Sequence, residues 1–170
     1  MGTGHAVACA EEFLKDKAEN ILVLYGDMPL LLSDTIKNIV NRHIDSGAEI
    51  TMGTVEVDKY EDWQAGFYDF GRVVRSENGQ VCSIVEKKDA TSEQLEIKEV
   101  NPSYFCFKAD WLWKNLKNLK NENNQKEYYL TDLAFMACSQ GLEINTVKIL
   151  PKEAIGINNE EQLKLVEKLV

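Results

Sequence analysis

Ile21, Leu22, Val23 and Leu24 form an unbroken apolar run that passes straight into Tyr25, Gly26 and Asp27, with Pro29 close behind. Four apolar residues in succession suit a strand buried on both faces, as in the middle of an α/β sheet. The glycine and the proline end that strand. Asp27 therefore falls near the C-terminal end of a central strand, where open α/β sheets carry their binding crevices. The following SDTIKNIVNRHIDSG predicts a helix. Ser33 is placed to cap it, Ile36, Ile39, Val40, His43 and Ile44 follow helical spacing, and Gly47 can close it. EITMGTVEV is the next strand, and a strand-helix-strand unit favours parallel strands with a right-handed crossover.

The opening GTGHAVACAEEFL reads as a glycine-containing loop running into a short helix with Ala6, Ala10 and Phe13 near one face. KYEDWQAGFYDFG reads as an exposed excursion with aromatic anchors. GRVVR and VCSIVEKKD flank SENG, and Asn78-Gly79 signals a hairpin turn between antiparallel strands. VNPSYFCF is read as one strand, and ADWLWKNLKNLK as a helix with Trp111, Leu112, Leu116 and Leu119 along its apolar stripe. YYLTDLAFMACSQG predicts a helix capped by Thr131 and ended near Gly141, EINTVKIL a strand, and EEQLKLVEKLV a last helix after the GINN loop. No repeat or composition break divides these elements. They predict one α/β domain of Rossmann-like type, with a mixed, largely parallel sheet and an antiparallel accessory hairpin.

Composition narrows the function classes. A net charge of -9 supplies no basic surface for nonspecific nucleic-acid binding. The apolar stretches are interrupted well short of membrane-spanning length, so neither membrane nor nucleic acid is expected as a partner, and a cytoplasmic location follows by default. Cys9, Cys82, Cys106 and Cys138 lack the spacing of a metal site or a disulfide scaffold and are expected to be packing thiols. GTGHA has neither the full dinucleotide-binding glycine pattern nor a following Lys-Ser/Thr pair. Trp111 and Trp113 read as helix packing.

Asp27 can be either a strand-terminal cap or a Mg²⁺ ligand beside phosphate oxygens. Asn158 and Asn159 precede a helix and serve equally as caps or, through a carbonyl oxygen, as metal partners. Glu86 and Asn101 stand open in the same way between structural and ligand roles.

Taken together and in order, GTGHAV, LVLYGDMPLL, GRVVRSENGQVCSIVEKKDAT, EVN, EYYLTD and GINNEEQL resemble one family across nearly the whole chain. It is the N-terminal uridylyltransferase domain of the bacterial bifunctional N-acetylglucosamine-1-phosphate uridylyltransferase/glucosamine-1-phosphate acetyltransferase. The resemblance implies a Mg²⁺-dependent nucleotidyltransferase acting on UTP and N-acetylglucosamine 1-phosphate, in a multifunctional enzyme of cell wall biogenesis and peptidoglycan synthesis. By that resemblance Gly2 and Thr3 lie near the nucleotide, and Tyr25 and Gly26 form the cleft floor. Asp27 and Asn158 hold the metal, Gly71 offers its backbone to the sugar, Glu86 accepts sugar hydroxyls, Asn101 bonds the nucleotide sugar, and Tyr129 and Thr131 are supporting contacts. No residue is expected to act as nucleophile or base, and His5 is assigned to local packing.

The family pattern begins with a further strand and a glycine-rich phosphate loop. The chain 1–170 is thus expected to be a partial domain, incomplete for activity by itself. Pro102 and Ser103 stand where the family has Thr-Gly, and Lys126 where it has glycine. A homotrimer is expected only in a longer protein carrying the acetyltransferase repeats. The alternatives are a nucleotidyltransferase for another sugar 1-phosphate and a noncatalytic regulatory or assembly domain of the same fold.

Overall fold

The computed structural model describes residues 1–169. Two short helices, α1 (Thr3–Ala8) and α2 (Glu11–Leu14), precede strand β1 (Asn20–Val23), helix α3 (Ser33–Ser46) and strand β2 (Ile50–Glu56). A 3₁₀ segment, Asp62–Asp69, leads to β3 (Gly71–Arg75) and β4 (Val81–Val85). Then come α4 (Ser92–Leu95), β5 (Glu99–Asn101), β6 (Phe105–Lys108), α5 (Ala109–Leu116), α6 (Asp132–Ser139), β7 (Ile144–Lys148), a 3₁₀ turn at Pro151–Ala154 and α7 (Glu160–Glu167).

The α/β class, the mixed sheet and the β3–β4 hairpin stand, with Gly79 at φ 84 in the hairpin turn. The balance of pairing differs from the largely parallel expectation. β2 and β7 pair in parallel, whereas β1–β6, β2–β6, β2–β5, β3–β5 and β3–β4 are all antiparallel. β1 and β2 do run in the same direction, as the strand-helix-strand unit requires, but β6 lies between them. Local pattern fixes strand direction across a helix; it does not say which distant strand takes the hydrogen bonds.

VNPSYFCF is two strands rather than one. Pro102 has no N–H for a ladder, and Ser103 adopts φ 62. The Asn101 side chain braces this kink, its Oδ1 accepting from the Ser103 N–H at 2.9 Å and its Nδ2 donating to Ser103 Oγ at 3.1 Å. One edge of the β5–β6 line is consequently shared: β6 pairs with β1 up to Val23↔Phe105, and β5 pairs with β3 from Gly71↔Asn101. The C-terminal end of β1 and the start of β3 face each other across the kink.

Alternation along β6 sends Phe105 and Phe107 to one face and Tyr104 and Cys106 to the other, and each face has its own core cluster. α5 and α6 cover the first with Leu112, Trp113, Leu116, Leu133 and Ala137. On the second lie Ile39 of α3 and Val166 of α7. His43, on the buried side of α3, is 1% exposed and bonds Thr51 Oγ1 and Asn20 Oδ1, each at 3.1 Å. Ser33 opens α3 but makes no cap bond; Leu32 is the cap position, and its N–H donates to Glu153 Oε2 at 3.1 Å. Near the start of the chain Phe13 is 64% exposed, and Val7, Ala8 and Leu14 make the core contact instead.

Candidate active site

The cleft opens at the kink. Tyr25, Gly26 and Asp27 leave the end of β1, and the GINN loop comes up beside them because the Ile157 N–H donates to the Asp27 carbonyl at 2.8 Å. That bond carries Asn158 to Asp27. A Cβ built on Gly156 would lie 3.4 Å from Asp27 Oδ2 and 3.5 Å from Asn158 Nδ2, so the two side chains converge over a residue that has none. Asn159 is the true helix cap, its Oδ1 accepting from the Gln162 N–H at 2.9 Å. Gln162 Oε1 in turn accepts from the Asn158 N–H at 2.7 Å, which leaves the Asn158 amide group turned to the cleft. Asp27, Asn158, Gly156 and Tyr25, with Trp63 and Phe70 opposite, line a cavity of about 550 Å³.

A second, smaller hollow of about 130 Å³ adjoins it through Tyr25, Met28, Asp69 and Phe70. Gly71, Glu86, Asn101 and Ser103 form its walls. Gly71 is needed here for space: a Cβ would meet Ile84 Cγ2 at 2.9 Å and Glu86 Oε1 at 3.4 Å. Burial pushes the Glu86 carboxyl above the usual carboxylate range, and the hydroxyl of Thr131, donating at 2.9 Å, partly offsets this. Burial likewise raises the Tyr25 phenol, an effect that Ser103 and Thr3 partly offset. A third and wider hollow of about 840 Å³, bordered by Glu19, His43, Glu49 and Lys108, sits at the N-terminal end of β1. Size does not make it the site, because open α/β sheets bind ligands beyond the opposite, carboxyl ends of their strands.

The nucleotidyl transferase family pattern matches residues 1–150. The chain belongs to the nucleotidyl transferase family. Over 170 residues it is 38% identical to the bifunctional protein GlmU of Clostridium acetobutylicum, covering all of this chain and 36% of that protein. The GlmU proteins of Clostridium botulinum (strain Eklund 17B / Type B) and Clostridium beijerinckii are each 41% identical, again over all of this chain and 36% of their own length. The chain thus spans about a third of these relatives.

In this nucleotidyl transferase chain the sequence-predicted residues divide into groups. Tyr25, Asp27 and Asn158 share the larger cavity; Gly71, Glu86 and Asn101 share the smaller one. Thr131 reaches it through Glu86, whereas the Thr3 hydroxyl accepts from the Leu130 N–H at 3.0 Å. The Thr131 hydroxyl, expected as a cap, makes no cap bond to α6. Gly26 is exposed, with nothing within 4 Å of a Cβ. Gly2, at φ 122, packs the opening against residue 128, where a Cβ would lie 2.8 Å from the Tyr128 carbonyl oxygen. Tyr129 faces a separate hollow beside Asp89 and Asp132, and its hydroxyl accepts from Gln125 Nε2 at 2.7 Å. Sequence reasoning missed Gly156, Ser103 and the wall formed by Trp63, Asp69 and Phe70. The signals were present: a glycine beside a metal-candidate asparagine, and aromatic residues spaced through an otherwise polar excursion.

No helix among the described residues is long and apolar enough to cross a membrane. Of the four thiols expected to pack, Cys106 is buried, and burial raises it to about 11; Cys82 and Cys138 are half-buried, and Cys9 is exposed, at the surface end of α1 rather than in the core.

Proposed function

We propose that this domain forms UDP-N-acetylglucosamine by uridylyl transfer from UTP to N-acetylglucosamine 1-phosphate, with release of pyrophosphate. The observation that carries this reading is the convergence of Asp27 Oδ2 and the Asn158 side-chain amide, its Nδ2 nearest, over Gly156, in a cavity joined to a smaller hollow walled by Gly71, Glu86 and Asn101. A carboxylate and an amide carbonyl are hard oxygen donors suited to Mg²⁺, and phosphate oxygens complete such sites. Bound there, Mg²⁺ would neutralise charge on the phosphates and on the leaving pyrophosphate.

The chain's own residues then bind and orient. Glu86 accepts sugar hydroxyls and Thr131 holds its carboxyl in place. Asn101, engaged by Ser103, keeps one N–H for the ligand. Gly71 lets the sugar approach the backbone of β3. A phosphate oxygen of the sugar 1-phosphate attacks the α-phosphorus of UTP, one P–O bond forms, the bond to the β-phosphate breaks, and pyrophosphate leaves with the electron pair. No protein nucleophile enters. In-line geometry and charge stabilisation supply the rate.

The deciding experiment is Mg²⁺-dependent formation of UDP-N-acetylglucosamine from UTP and N-acetylglucosamine 1-phosphate, run on this chain and on the native-length protein. Turnover by the native-length protein supports the reading, and turnover confined to it makes this chain one part of the catalytic unit. Folded protein inactive in both forms shifts the reading to another sugar nucleotide or to a noncatalytic role.

A further inference from the structure

Arg72 is a cation with 0% exposure in the second position of β3. Taking a guanidinium out of water is costly unless its hydrogen-bonding capacity is met. Among the described residues the partners that meet it are carbonyls, not a carboxylate. Nη2 donates to the Tyr68 carbonyl at 3.0 Å, Nη1 to the Phe70 carbonyl, and Nε to the Leu95 carbonyl at 3.4 Å. Two rings complete the cage. The Arg72 Cζ lies 4.8 Å from the Tyr60 ring centre and 5.2 Å from that of Tyr68, and the two rings meet edge-on at 5.3 Å. Tyr60 is itself tied down, its hydroxyl donating to the Ile97 carbonyl.

Every group in the cage except the Leu95 and Ile97 carbonyls comes from the excursion between β2 and β3. The same excursion supplies Trp63, Asp69 and Phe70 to the cleft. At its tip Glu61, Asp62, Trp63, Ala65 and Gly66 are exposed, while Phe67 is buried in the core and Asp69 is bonded by Lys87, so Arg72 acts on the stretch that joins these anchors to β3. We infer that Arg72 is a positioning residue, fixing the aromatic wall of the cleft through the carbonyls of Tyr68 and Phe70 and the rings of Tyr60 and Tyr68. A planar fork with several donors can grip these carbonyls together, whereas a lysine ammonium offers a single point of charge. Asp69 and Phe70 border both hollows, so the wall sets the gap between the nucleotide side and the sugar side. The link to ligand rests on the proposed function; the link to the wall does not.

The test uses the native-length protein with Arg72→Met and Arg72→Lys, followed by amide hydrogen exchange and by titration with UDP-N-acetylglucosamine. The expected result for Arg72→Met is exchange at least tenfold faster across residues 60–70, with Ile50–Glu56 and α3 unchanged. The dissociation constant should rise at least fivefold, and Arg72→Lys should fall between Met and wild type in both readouts. Unchanged exchange in residues 60–70 overturns the inference. So does faster exchange spread through β2 and α3 in both variants, which would make Arg72 a general core brace, or local loosening with unchanged affinity. If wild type fails to bind UDP-N-acetylglucosamine, the substrate assignment falls, while the exchange pattern still decides whether Arg72 holds the wall.

Discussion

Thr131 donates its hydroxyl hydrogen to Glu86 Oε1 at 2.9 Å, tying the cap position of α6 to the residue that follows β4. The bond stabilises a carboxylate whose burial otherwise disfavours its charge. A carboxyl held above its unfolded value contributes stability that is intact below about pH 4.3 and is lost as pH rises through the folded value. Glu86→Gln keeps an acceptor for Thr131 and removes the buried charge. It should melt about 2–4 °C above wild type at pH 7.5 and level with it near pH 4. On the proposed function, the same substitution should also weaken UDP-N-acetylglucosamine binding roughly tenfold, about the effect of one charge-assisted hydrogen bond. Equal melting temperatures at both pH values would refute the electrostatic account.

Asp27 lies on the cleft rim and is only partly buried. Asp27→Ala should leave the melting temperature within about 2 °C of wild type, as expected for a site outside the core. Mg²⁺-dependent turnover should fall on the order of a hundredfold or more. Unchanged turnover and Mn²⁺ affinity would remove Asp27 from the metal site.

Gly156→Ala tests the space between the two metal candidates. The added methyl would sit in ordinary contact distance of Asp27 and Asn158, at 3.4 and 3.5 Å, so the fold should tolerate it. Metal affinity measured by titration calorimetry should nevertheless drop several-fold. An affinity equal to wild type would mean the cation binds elsewhere.

His43 makes stability fall on acidification. Burial first, and the Lys108 charge next, hold its imidazole below the ordinary 6.5. A base with a depressed value contributes stability that is present above its unfolded value and is lost as pH falls below it. Wild type should lose melting temperature between pH 7.5 and 5.5, and His43→Gln should lose less over that interval. Parallel curves for the two proteins would clear His43 of the effect.

Lys126 adopts φ 58, a conformation open to glycine and strained for lysine. Lys126→Gly should therefore stabilise by up to about 1 kcal/mol in urea unfolding, less the extra entropy of glycine in the unfolded chain. A loss of stability would mean that the Lys126 side chain contributes more than its backbone costs.

The elements most legible in the sequence were those set by short-range pattern. β1 and its exit at Asp27, the Asn78-Gly79 turn, and the αL closure of α3 at Gly47 all follow from local sterics and burial. The Asp27–Asn158 meeting was legible only through the family motif, because nothing local joins residues so far apart. Strand pairing was not legible: whether β1 lies beside β2 or β6 depends on long-range hydrogen bonds that leave no periodic trace. The kink at Pro102 and Ser103 was hidden by the apolar run around it, although a proline inside a strand was the clue. Arg72 was missed because hydropathy assigns an arginine in a strand to solvent, and only the fold brings two tyrosines and three carbonyls around it.

The 2.8 Å bond between the Ile157 N–H and the Asp27 carbonyl also fixes when the site can exist. Asn158 follows Asp27 far along the chain, so a growing chain cannot bring the two metal candidates together until the GINN loop has been made. A contact of such long sequence separation also forms late on a folding path, since the entropy of closing the loop must be met first. Metal or nucleotide added during refolding should accordingly leave the early collapse unaltered and slow only unfolding.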